Sequence, residues 1–248
     1  MTLFYDPALA AKSPAPYGLV SVNNSRTTLG RFCSEEVLAV APPPSDEVLG
    51  VVLAGGLGRR LGGAKAQRLL AGRPLLTHVL DRLMPQLAPG RLMLNINGDA
   101  SAFAAYGLPI IPDTIAGRPG PLAGILAAML GAGAGAAWVL TAPTDTPFLP
   151  PDLVNTLMSR QRETGVDIVL ANSQAGLCQV CGLWSVGLAS ALADRLAIGQ
   201  NTVLDFAERH AHSSVPFPPQ WLGRQSIDPF FNINTADDLA IAERMLTV

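Results

Sequence analysis

The most informative stretch of the chain is residues 48–65, which read Val48-Leu-Gly-Val-Val-Leu-Ala-Gly-Gly-Leu-Gly-Arg-Arg-Leu-Gly-Gly-Ala-Lys65. Its first part, Leu49–Ala54, is an unbroken apolar run, which is typical of a parallel strand buried on both faces. The glycines that follow let backbone N–H groups approach a phosphate without obstruction by side chains. Because Arg59, Arg60 and Lys65 add positive charge to the same loop, the stretch predicts a strand followed by a phosphate-binding loop.

Two known nucleotide-binding patterns do not fit this loop. A dinucleotide fingerprint needs G-x-G-x-x-G, but the third position after Gly58 is Leu61. A Walker loop needs G-x-x-x-x-G-K-[ST], but Gly63 is followed by Ala64. The loop is therefore of a third kind. A plain tight turn is the alternative, and it leaves the cluster of basic residues unexplained.

Composition restricts the class of protein. The 248 residues suit one α/β domain or one domain with an appendage. With 17 Lys and Arg against 19 Asp and Glu, the net charge of −2 offers no basic surface to nucleic acid. A hydrophobic content of 49% excludes a disordered chain. The chain has only three cysteines, so a disulfide framework is excluded and we expect a cytoplasmic protein.

One uncharged segment, residues 119–144, is long enough to suggest a membrane span. Glycines within 131–135 interrupt it, however, and it is better interpreted as a buried helix over about 121–130, a turn and a buried strand over 138–141. The N-terminal residues include Asp6 and no basic region, so they do not predict a secretory signal. We therefore expect no membrane association.

Residues 1–47 differ from the rest because they contain several prolines, including Pro42–Pro44, and no helical or strand period. We expect an N-terminal extension, flexible or draped over the surface, that ends in a proline-rich linker. The alternative is a lid or a partner-docking arm anchored by four apolar residues, Leu3, Phe4, Tyr5 and Tyr17. The remaining residues, 48–248, are predicted to form one domain.

This second part alternates short apolar runs with stretches of helical spacing. The predicted helices are 74–87, 121–130, 152–164 and 236–246, the last capped by Thr235, and the predicted strands after the first are 91–95, 109–111, 137–141 and 167–171. The alternation predicts an α/β fold of three layers, in which a mostly parallel sheet carries helices on both faces. In such folds ligands bind at the carboxyl ends of the strands.

Asp145 is the strongest candidate for a metal ligand. It follows the apolar strand over 138–141, so its carboxylate is expected at the carboxyl end of the sheet. Mg²⁺ binds one or two carboxylates together with phosphate oxygens, and Asp145 suits that role. The alternative is a turn aspartate that precedes Pro147.

Several motifs extend from the glycine-rich loop towards the C-terminus. They are Leu53-Ala-Gly-Gly-x-x-Arg-Arg-Leu-Gly-Gly…Lys65, Leu70-Ala-Gly-Arg-Pro-Leu-Leu76, Asn95-Ile-Asn97, Asp113-Thr-Ile-Ala-Gly-Arg-Pro-Gly-Pro-Leu-Ala-Gly124, Pro143-Thr-Asp-Thr-Pro-Phe148 and Asp228-Pro-Phe-Phe-Asn-Ile-Asn-Thr-Ala-Asp-Asp-Leu239. In this order and at this spacing the chain resembles the molybdenum cofactor guanylyltransferases. The resemblance implies a Rossmann-like nucleotidyltransferase domain that uses Mg²⁺ to transfer GMP from GTP to the phosphate of molybdopterin, with release of pyrophosphate.

The resemblance also implies roles for individual residues. The implied nucleotide contacts are Leu53, Ala54, Gly55, Gly56, Lys65, Asn95, Asp113 and Asp145, of which Asn95 and Asp113 contact the guanosine part. The implied catalytic residues are Arg60, Lys65 and Asp145, which meet the phosphates and, at Asp145, hold the metal. Asn232 and Asn234 are implied on the acceptor side, with a turn and helix-entry role as the alternative. The implied partners are GTP, molybdopterin, and molybdoenzymes or their chaperones.

Two short sequences indicate the base. Relatives that use CTP tend to read Ala-Ala-Gly in the first loop and Asp-Gln-Pro after the metal strand. This chain reads Ala54-Gly55-Gly56 and Asp145-Thr-Pro147, and both indicate guanine.

Two segments depart from the family pattern. The family usually reads Gly-Gly-x-Asp-Lys, whereas Gly62-Gly63-Ala64-Lys65 is one residue shorter and lacks the aspartate. The segment before Gly182 usually carries an arginine and a His-Pro pair, but here it is Gly176-Leu-Cys-Gln-Val-Cys181. Two alternatives therefore stay open: a related nucleotidyltransferase with a different phosphorylated acceptor, and a catalytically weakened cofactor-binding chaperone.

The second departure creates a Cys178-x-x-Cys181 pair. Such a pair can be redox-active or form half of a zinc site, although His210 and His212 do not complete a zinc spacing. On a regular strand the two side chains would face opposite sides, so we expect two small buried residues. We expect His78, on the predicted helix 74–87, to pack or cap rather than to catalyse.

Overall fold

The computed structural model describes residues 46–55, 65–115 and 120–246. Most of the predicted extension over 1–47 lies outside the described residues, as do Gly56, Arg59 and Arg60 of the glycine-rich loop. The predicted domain boundary at residue 48 therefore stays a prediction.

The described strands and helices follow one another along the chain in α/β fashion. The strands are β1 (Val48–Leu53), β2 (Leu69–Leu70), β3 (Arg73–Pro74), β4 (Leu92–Asn95), β5 (Ile110–Ile111), β6 (Trp138–Pro143), β7 (Ile168–Ser173), β8 (Gly176–Ser185), β9 (His212–Pro216), β10 (Gln220–Leu222) and β11 (Gln225–Ile227). The helices are α1 (Leu75–Leu83), α2 (Pro121–Gly131), α3 (Leu153–Thr164), α4 (Ala189–Ala197), α5 (Val203–Ala207) and α6 (Ala236–Leu246).

The central sheet of the described residues has seven strands in the order β5-β4-β1-β6-β8-β7-β9. Within it β8 runs antiparallel to both of its neighbours, and the other pairs are parallel. The prediction of a mostly parallel sheet is confirmed. After β1 the chain builds outward through β4 on one side and then returns to β6 on the other. Strand order therefore reverses at β1, which is the position where such sheets bind ligands.

Alternate residues of β1 pack against different helices. Val48 and Val52 belong to the apolar cluster that α1 and α3 cover. Leu49 and Val51 belong to the cluster on the other face, together with α2 and α4. All four side chains are buried, as expected for a strand inside a parallel sheet. The sheet is therefore the middle of three layers, as predicted.

The uncharged segment forms a buried helix and a buried strand, as predicted. Every residue from Leu122 to Met129 in α2 is buried, because the helix packs between the sheet and α4. No helix in the described parts of the chain is long and apolar enough to cross a membrane.

The predicted helix over 74–87 is not continuous. α1 ends at Leu83, and Met84–Gln86 form a separate 3₁₀ turn that contains Pro85. Proline has no N–H to donate and its ring clashes with the preceding turn, so an α-helix does not run through it. Leu87 nevertheless stays buried and fills the space that a Cβ on Gly50 would take. Glycine at position 50 thus lets this leucine pack directly on β1.

Strand β8 contains an insertion that the sequence pattern does not reveal. Leu170 of β7 pairs with Gly182, and the next residue, Ala171, pairs with Cys178. Residues 179–181 therefore have no partner on β7, and we call them the β8 bulge. Because the bulge breaks the alternation of side chains, the expectation that Cys178 and Cys181 face opposite sides of a regular strand is wrong.

A buried hydrogen-bond relay fixes the β8 bulge to β6. The hydroxyl of Thr141 donates to the carbonyl of Val180 at 2.7 Å. The same hydroxyl oxygen accepts from the indole N–H of Trp184 at 2.9 Å. Since both Thr141 and Trp184 are fully buried, water does not replace either bond.

The relay predicts a stability loss for Thr141→Val, which keeps the side-chain shape and removes the hydroxyl. The indole N–H and the Val180 carbonyl would then lack partners, at a cost of about 1–3 kcal/mol for each buried group. We expect the free energy of unfolding in urea to fall by about 2–4 kcal/mol. Thr141→Ser keeps the hydroxyl and should lose only about 1 kcal/mol for the missing methyl group. Equal losses in the two variants would contradict the relay.

Candidate active site

The strand order brings four strand ends to one edge of the sheet. Asp113 follows β5, Asn95 ends β4, Gly55 follows β1 and Asp145 follows β6, and these four strands are adjacent. The N–H of Ala54 donates to the Asn95 carbonyl at 2.9 Å, so the chain stays in contact with β4 beyond the end of β1. These four residues, all of them predicted nucleotide contacts, therefore lie at neighbouring strand ends.

Lys65 joins two segments that are distant in sequence. Its ammonium group forms an ion pair with Asp145 Oδ2, 80 residues away. It also donates to Asn234 Oδ1 at 2.6 Å, 169 residues away. The Lys65 and Asp145 side chains are only 15% and 14% exposed, so water screens the pair weakly. We refer to Lys65, Asp145 and Asn234 as the lysine cluster.

The second carboxylate oxygen of Asp145 is left without a donor. Asp145 Oδ1 is buried, and no hydrogen-bond donor among the described residues reaches it. A buried charged oxygen without a partner is costly, because it has lost its water and gained nothing in return. Carboxylate oxygens are also the ligands that hard divalent cations prefer. This oxygen is therefore the atom of the site that could bind a metal.

The start of α6 positions Asn234. The hydroxyl of Thr235 accepts from the N–H of Asp238 at 3.1 Å, which confirms the predicted cap. In return Asp238 Oδ2 accepts from the N–H groups of Asn234 and Thr235, both at 2.9 Å. The preceding residue, Ile233, donates its N–H to the Asp145 carbonyl at 2.9 Å. The helix entrance and the Asp145 turn are thus tied together, and the Asn234 side chain reaches Lys65.

A second set of polar side chains lies at the ends of β4 and β5. Asn95 donates from Nδ2 to Asp113 Oδ1 at 2.9 Å, and Asn97 donates from Nδ2 to Asp113 Oδ2 at 2.6 Å. The N–H of Asp113 donates back to Asn97 Oδ1 at 2.8 Å. We refer to Asn95, Asn97 and Asp113 as the amide cluster. A Cβ on Gly55 would lie 2.8 Å from Asn97 Nδ2, so only glycine lets the chain after β1 pass this close.

Two residues with hydrogen bonds near the site, Asn97 and Asp228, were given no role from the sequence. Asn97 lies within the Asn95-Ile-Asn97 motif, and its spacing of two was the signal that both amides point the same way. Asp228 accepts from the Ser173 hydroxyl at 2.7 Å and from the Phe230 N–H at 2.8 Å. It thereby ties the turn between β7 and β8 to the segment before α6. Asn232 is exposed in that segment, and its role on the acceptor side stays a prediction.

The histidines have structural contacts. His78 Nε2 hydrogen-bonds to the Leu70 carbonyl at 2.9 Å and so ties α1 to β2, in keeping with a packing role. His210 hydrogen-bonds through Nδ1 to the Phe206 carbonyl at 2.9 Å, and its ring packs at a tilt against the Phe206 ring. Within the described ranges no three His, Cys, Asp or Glu side chains form a metal-binding group.

The two cysteines lie beside the Asp145 turn. Their thiols interact with each other, and the Cys181 thiol also interacts with the Thr146 hydroxyl. Burial raises the pKa of Cys181 well above its usual value. The interaction with the Cys181 thiol lowers the pKa of Cys178. The expectation of two small buried residues thus holds for Cys181, whereas Cys178 is only partly buried.

Together, this sheet and the polar residues at its carboxyl edge define a nucleotidyltransferase. The chain belongs to the family of the MobA-like NTP transferase domain, whose model matches residues 50–213. Both the predicted fold class and the predicted family resemblance are confirmed.

Individual relatives agree with this assignment. The molybdenum cofactor guanylyltransferase of Bradyrhizobium sp. (strain ORS 278) is 44% identical over 212 residues, which cover 80% of this chain and 92% of the relative. Molybdopterin-guanine dinucleotide biosynthesis protein A from Archaeoglobus fulgidus superimposes with a TM-score of 0.63 at 25% identity, covering 79% of this chain and 97% of that one. A Mycobacterium tuberculosis protein solved in complex with manganese shares the fold, with a TM-score of 0.56 at 19% identity and coverage of 81% and 99%.

The capping interaction at α6 predicts a pH-dependent stability loss for Asp238→Ala. Hydrogen bonds from Asn234 and Thr235 hold the pKa of Asp238 below its ordinary value. A depressed pKa means that the carboxylate stabilises the fold fully above the ordinary carboxyl pKa of about 3.9 and loses this effect as the pH falls through the folded-state pKa. We expect a loss of about 0.5–1 kcal/mol in urea unfolding at pH 7.

The matched control is Asp237→Ala, which removes an exposed acid from the same first helical turn. It changes the helix-dipole interaction equally but leaves the capping bonds in place. A pH-independent loss in Asp238→Ala, or an equal loss in Asp237→Ala, would contradict the capping role.

Proposed function

We propose that the protein transfers GMP from GTP to the phosphate of molybdopterin and releases pyrophosphate, which gives the guanine dinucleotide form of the cofactor. The observation that carries the proposal is the lysine cluster, in which one Asp145 oxygen holds Lys65 and the other is buried without a donor. Nucleotidyl transfer asks for charge neutralisation and in-line positioning more than for proton transfer. An ammonium group held in place beside a carboxylate oxygen without a donor suits both charge neutralisation and positioning.

Lys65 is the residue that we assign to the triphosphate. An ammonium group has three donors, and among the described residues Asp145 and Asn234 take two of them. The third is left for a phosphate oxygen. Because both partners hold the lysine before the substrate arrives, little side-chain freedom is lost on binding. Gly56 and Arg60, in the preceding loop, are proposed to contact the same phosphates.

Asp145 Oδ1 is proposed to bind a divalent cation, with Mg²⁺ as the physiological ion. Such a cation neutralises phosphate charge and so makes the α-phosphorus easier to attack. Two observations support the assignment: the buried oxygen lacks a donor, and a protein of the same fold is known in complex with manganese. Asp145 Oδ1 would hold the ion, while Oδ2 keeps Lys65 in place.

The guanosine part is assigned to the amide cluster and the adjoining backbone. Asp113 offers a carboxylate whose oxygens are each held by one amide, so its orientation is fixed before binding. Asn95 is buried, and its side-chain oxygen, Oδ1, faces Gly124 of α2. The backbone of Leu53, Ala54 and Gly55 forms the neighbouring wall of the site.

The remaining assignments concern the acceptor and the setting of the reaction. Asn232 and Asn234 are proposed to lie on the molybdopterin side, since Asn234 reaches the lysine cluster from the segment before α6. Molybdoenzymes or their chaperones are the proposed recipients of the product. A cytoplasmic location suits two unpaired thiols beside the site, which a reducing compartment preserves.

One assay tests the function. The full-length protein is supplied with GTP, Mg²⁺ and molybdopterin, and pyrophosphate and the dinucleotide product are measured. We expect both products in equal amounts, and a lower rate with CTP. Faster turnover with CTP would overturn the choice of base. Pyrophosphate formed only with another phosphorylated acceptor would favour a related nucleotidyltransferase, and tight GTP binding without pyrophosphate would favour a cofactor-binding chaperone.

We expect the Asp145→Asn variant to lose catalysis and to retain the fold. Asparagine still accepts a hydrogen bond from Lys65 but offers no charged oxygen to a cation. We expect the turnover number to fall by about 100-fold or more, because charge stabilisation at a transferring phosphoryl group is worth several kcal/mol. Asp152→Asn is the control, since the carboxylate of this exposed residue at the start of α3 accepts from the Thr156 hydroxyl, and an amide oxygen accepts the same bond. Undiminished turnover in Asp145→Asn would mean that the metal lies elsewhere.

We expect the Gly124→Ala variant to bind GTP more weakly. A Cβ at position 124 would lie 2.7 Å from Asn95 Oδ1 and 3.0 Å from Leu53 Cδ2, so Asn95 must turn away from Asp113. We expect the Kd for GTP to rise about 10-fold, or about 1.4 kcal/mol, in calorimetry.

Gly131→Ala is the matched control on the same helix, because its added Cβ meets Ile111 at an ordinary 3.4 Å. Both changes replace a glycine of α2 by alanine and so share the gain in helix propensity, whereas only Gly124→Ala adds the close contact with Asn95. Equal Kd values for the two variants would contradict the role of Asn95.

A further inference from the structure

The thiol pair of Cys178 and Cys181 is the one chemically reactive group beside the described site that the proposed reaction does not use. The β8 bulge brings the two residues to one side of β8, where both pack against the same apolar cluster. The two thiols lie close enough to interact with each other, and neither is engaged in a disulfide. Cys181 is fully buried, whereas Cys178 is partly exposed, so only Cys178 is open to a reagent in solution.

Buried hydrogen bonds hold the β8 bulge in place. The buried Thr141 hydroxyl donates to the Val180 carbonyl between the two cysteines and accepts from the buried Trp184 indole N–H. This relay fixes the backbone of the bulge between the two cysteines. The pair is therefore fixed by the sheet rather than by a mobile loop.

The pair also lies beside the turn that carries Asp145. Cys181 contacts the hydroxyl of Thr146, which in turn donates to the Pro143 carbonyl at the end of β6 at 3.2 Å. Asp145 lies between these two residues in sequence. The Cys181 side chain and the turn that carries the Asp145 carboxylate are thus neighbours, so a disulfide at Cys181 would form directly beside that turn.

We propose that Cys178 and Cys181 form a reversible redox modification site, in which a low-molecular-weight disulfide such as glutathione disulfide converts the thiols into an intramolecular disulfide and thereby slows the enzyme. The slowing rests on the function proposed above, whereas the thiol chemistry does not. Cytosolic disulfides of this kind are usually transient and redox-sensing.

The reaction proceeds by two thiol–disulfide exchanges. The Cys178 thiolate attacks one sulfur of glutathione disulfide, forms a mixed disulfide and expels one glutathione thiolate, which takes up the proton that Cys178 lost. Cys181 then loses its proton and attacks the Cys178 sulfur, which expels the second glutathione as a thiol. The protein loses two thiol hydrogens, and one glutathione disulfide is reduced to two thiols.

The experiment uses the full chain with Cys33→Ser, which leaves only the pair. After incubation with glutathione disulfide, free thiols are counted in denaturant and the intact mass is measured. We expect no free thiol and no bound glutathione. Adding Cys181→Ala should trap a glutathione adduct on Cys178, and adding Cys178→Ser instead should leave the buried Cys181 reduced. Two free thiols in the oxidised parent, or a stable adduct while Cys181 is present, would overturn the proposal.

The effect on the site is measured on the same samples. Oxidation should slow pyrophosphate release about 10-fold or more, as when groups behind a metal ligand are disturbed, and dithiothreitol should restore the rate. In the Cys178→Ser variant the ratio of oxidised to reduced rates should stay near one. An unchanged rate in the oxidised parent would overturn the regulatory part of the proposal.

The protein could form the disulfide on oxidation and yet release no pyrophosphate in its reduced form. This result would contradict the proposed function and support the thiol chemistry. In that case the affinity for Mn²⁺, measured for the oxidised and reduced forms, tests the coupling to Asp145 directly. Equal affinities would overturn it.

Discussion

The pairing of β1 between β4 and β6 is the constraint on which the rest of the site depends. In one register, Leu53 lies opposite Asn95 on one side and opposite Pro143 on the other. This pairing sets the ends of three strands level, so that Gly55, Asn95 and Asp145 emerge at the same edge. A slip of one residue would turn every side chain of β1 to the other face, and the two buried clusters forbid it.

What could be predicted from the sequence is what depends on local pattern. The apolar run of β1, the buried α2 and the Thr235 cap follow from spacing over a few residues, and the structure confirms each. The location of Asn95, Asp113 and Asp145 at one edge was predictable because the carboxyl ends of parallel strands lie at the same edge of a sheet. Even Pro85 was a local signal that α1 would stop, since proline cannot continue a helix.

What could not be predicted depends on pairing between distant segments. The contact of Lys65 with Asn234 spans 169 residues, and spacing carries no information at that distance. The β8 bulge is invisible for a related reason: alternation of side chains assumes that each residue of β8 has one partner on β7. Only the fold shows that residues 179–181 have none there, and hence that Cys178 and Cys181 meet.

The two aspartates of the site differ in how fully their oxygens are bonded, and this difference suits the separate roles that we propose for them. Both oxygens of Asp113 accept from amides, so its carboxylate is rigid and its charge is spread into neutral donors. Asp145 is bonded through Oδ2 alone, and its buried ion pair with Lys65 adds little net stability, because desolvation offsets the attraction. The other oxygen is buried without a donor, which destabilises the fold. Binding of the proposed cation there would relieve this cost.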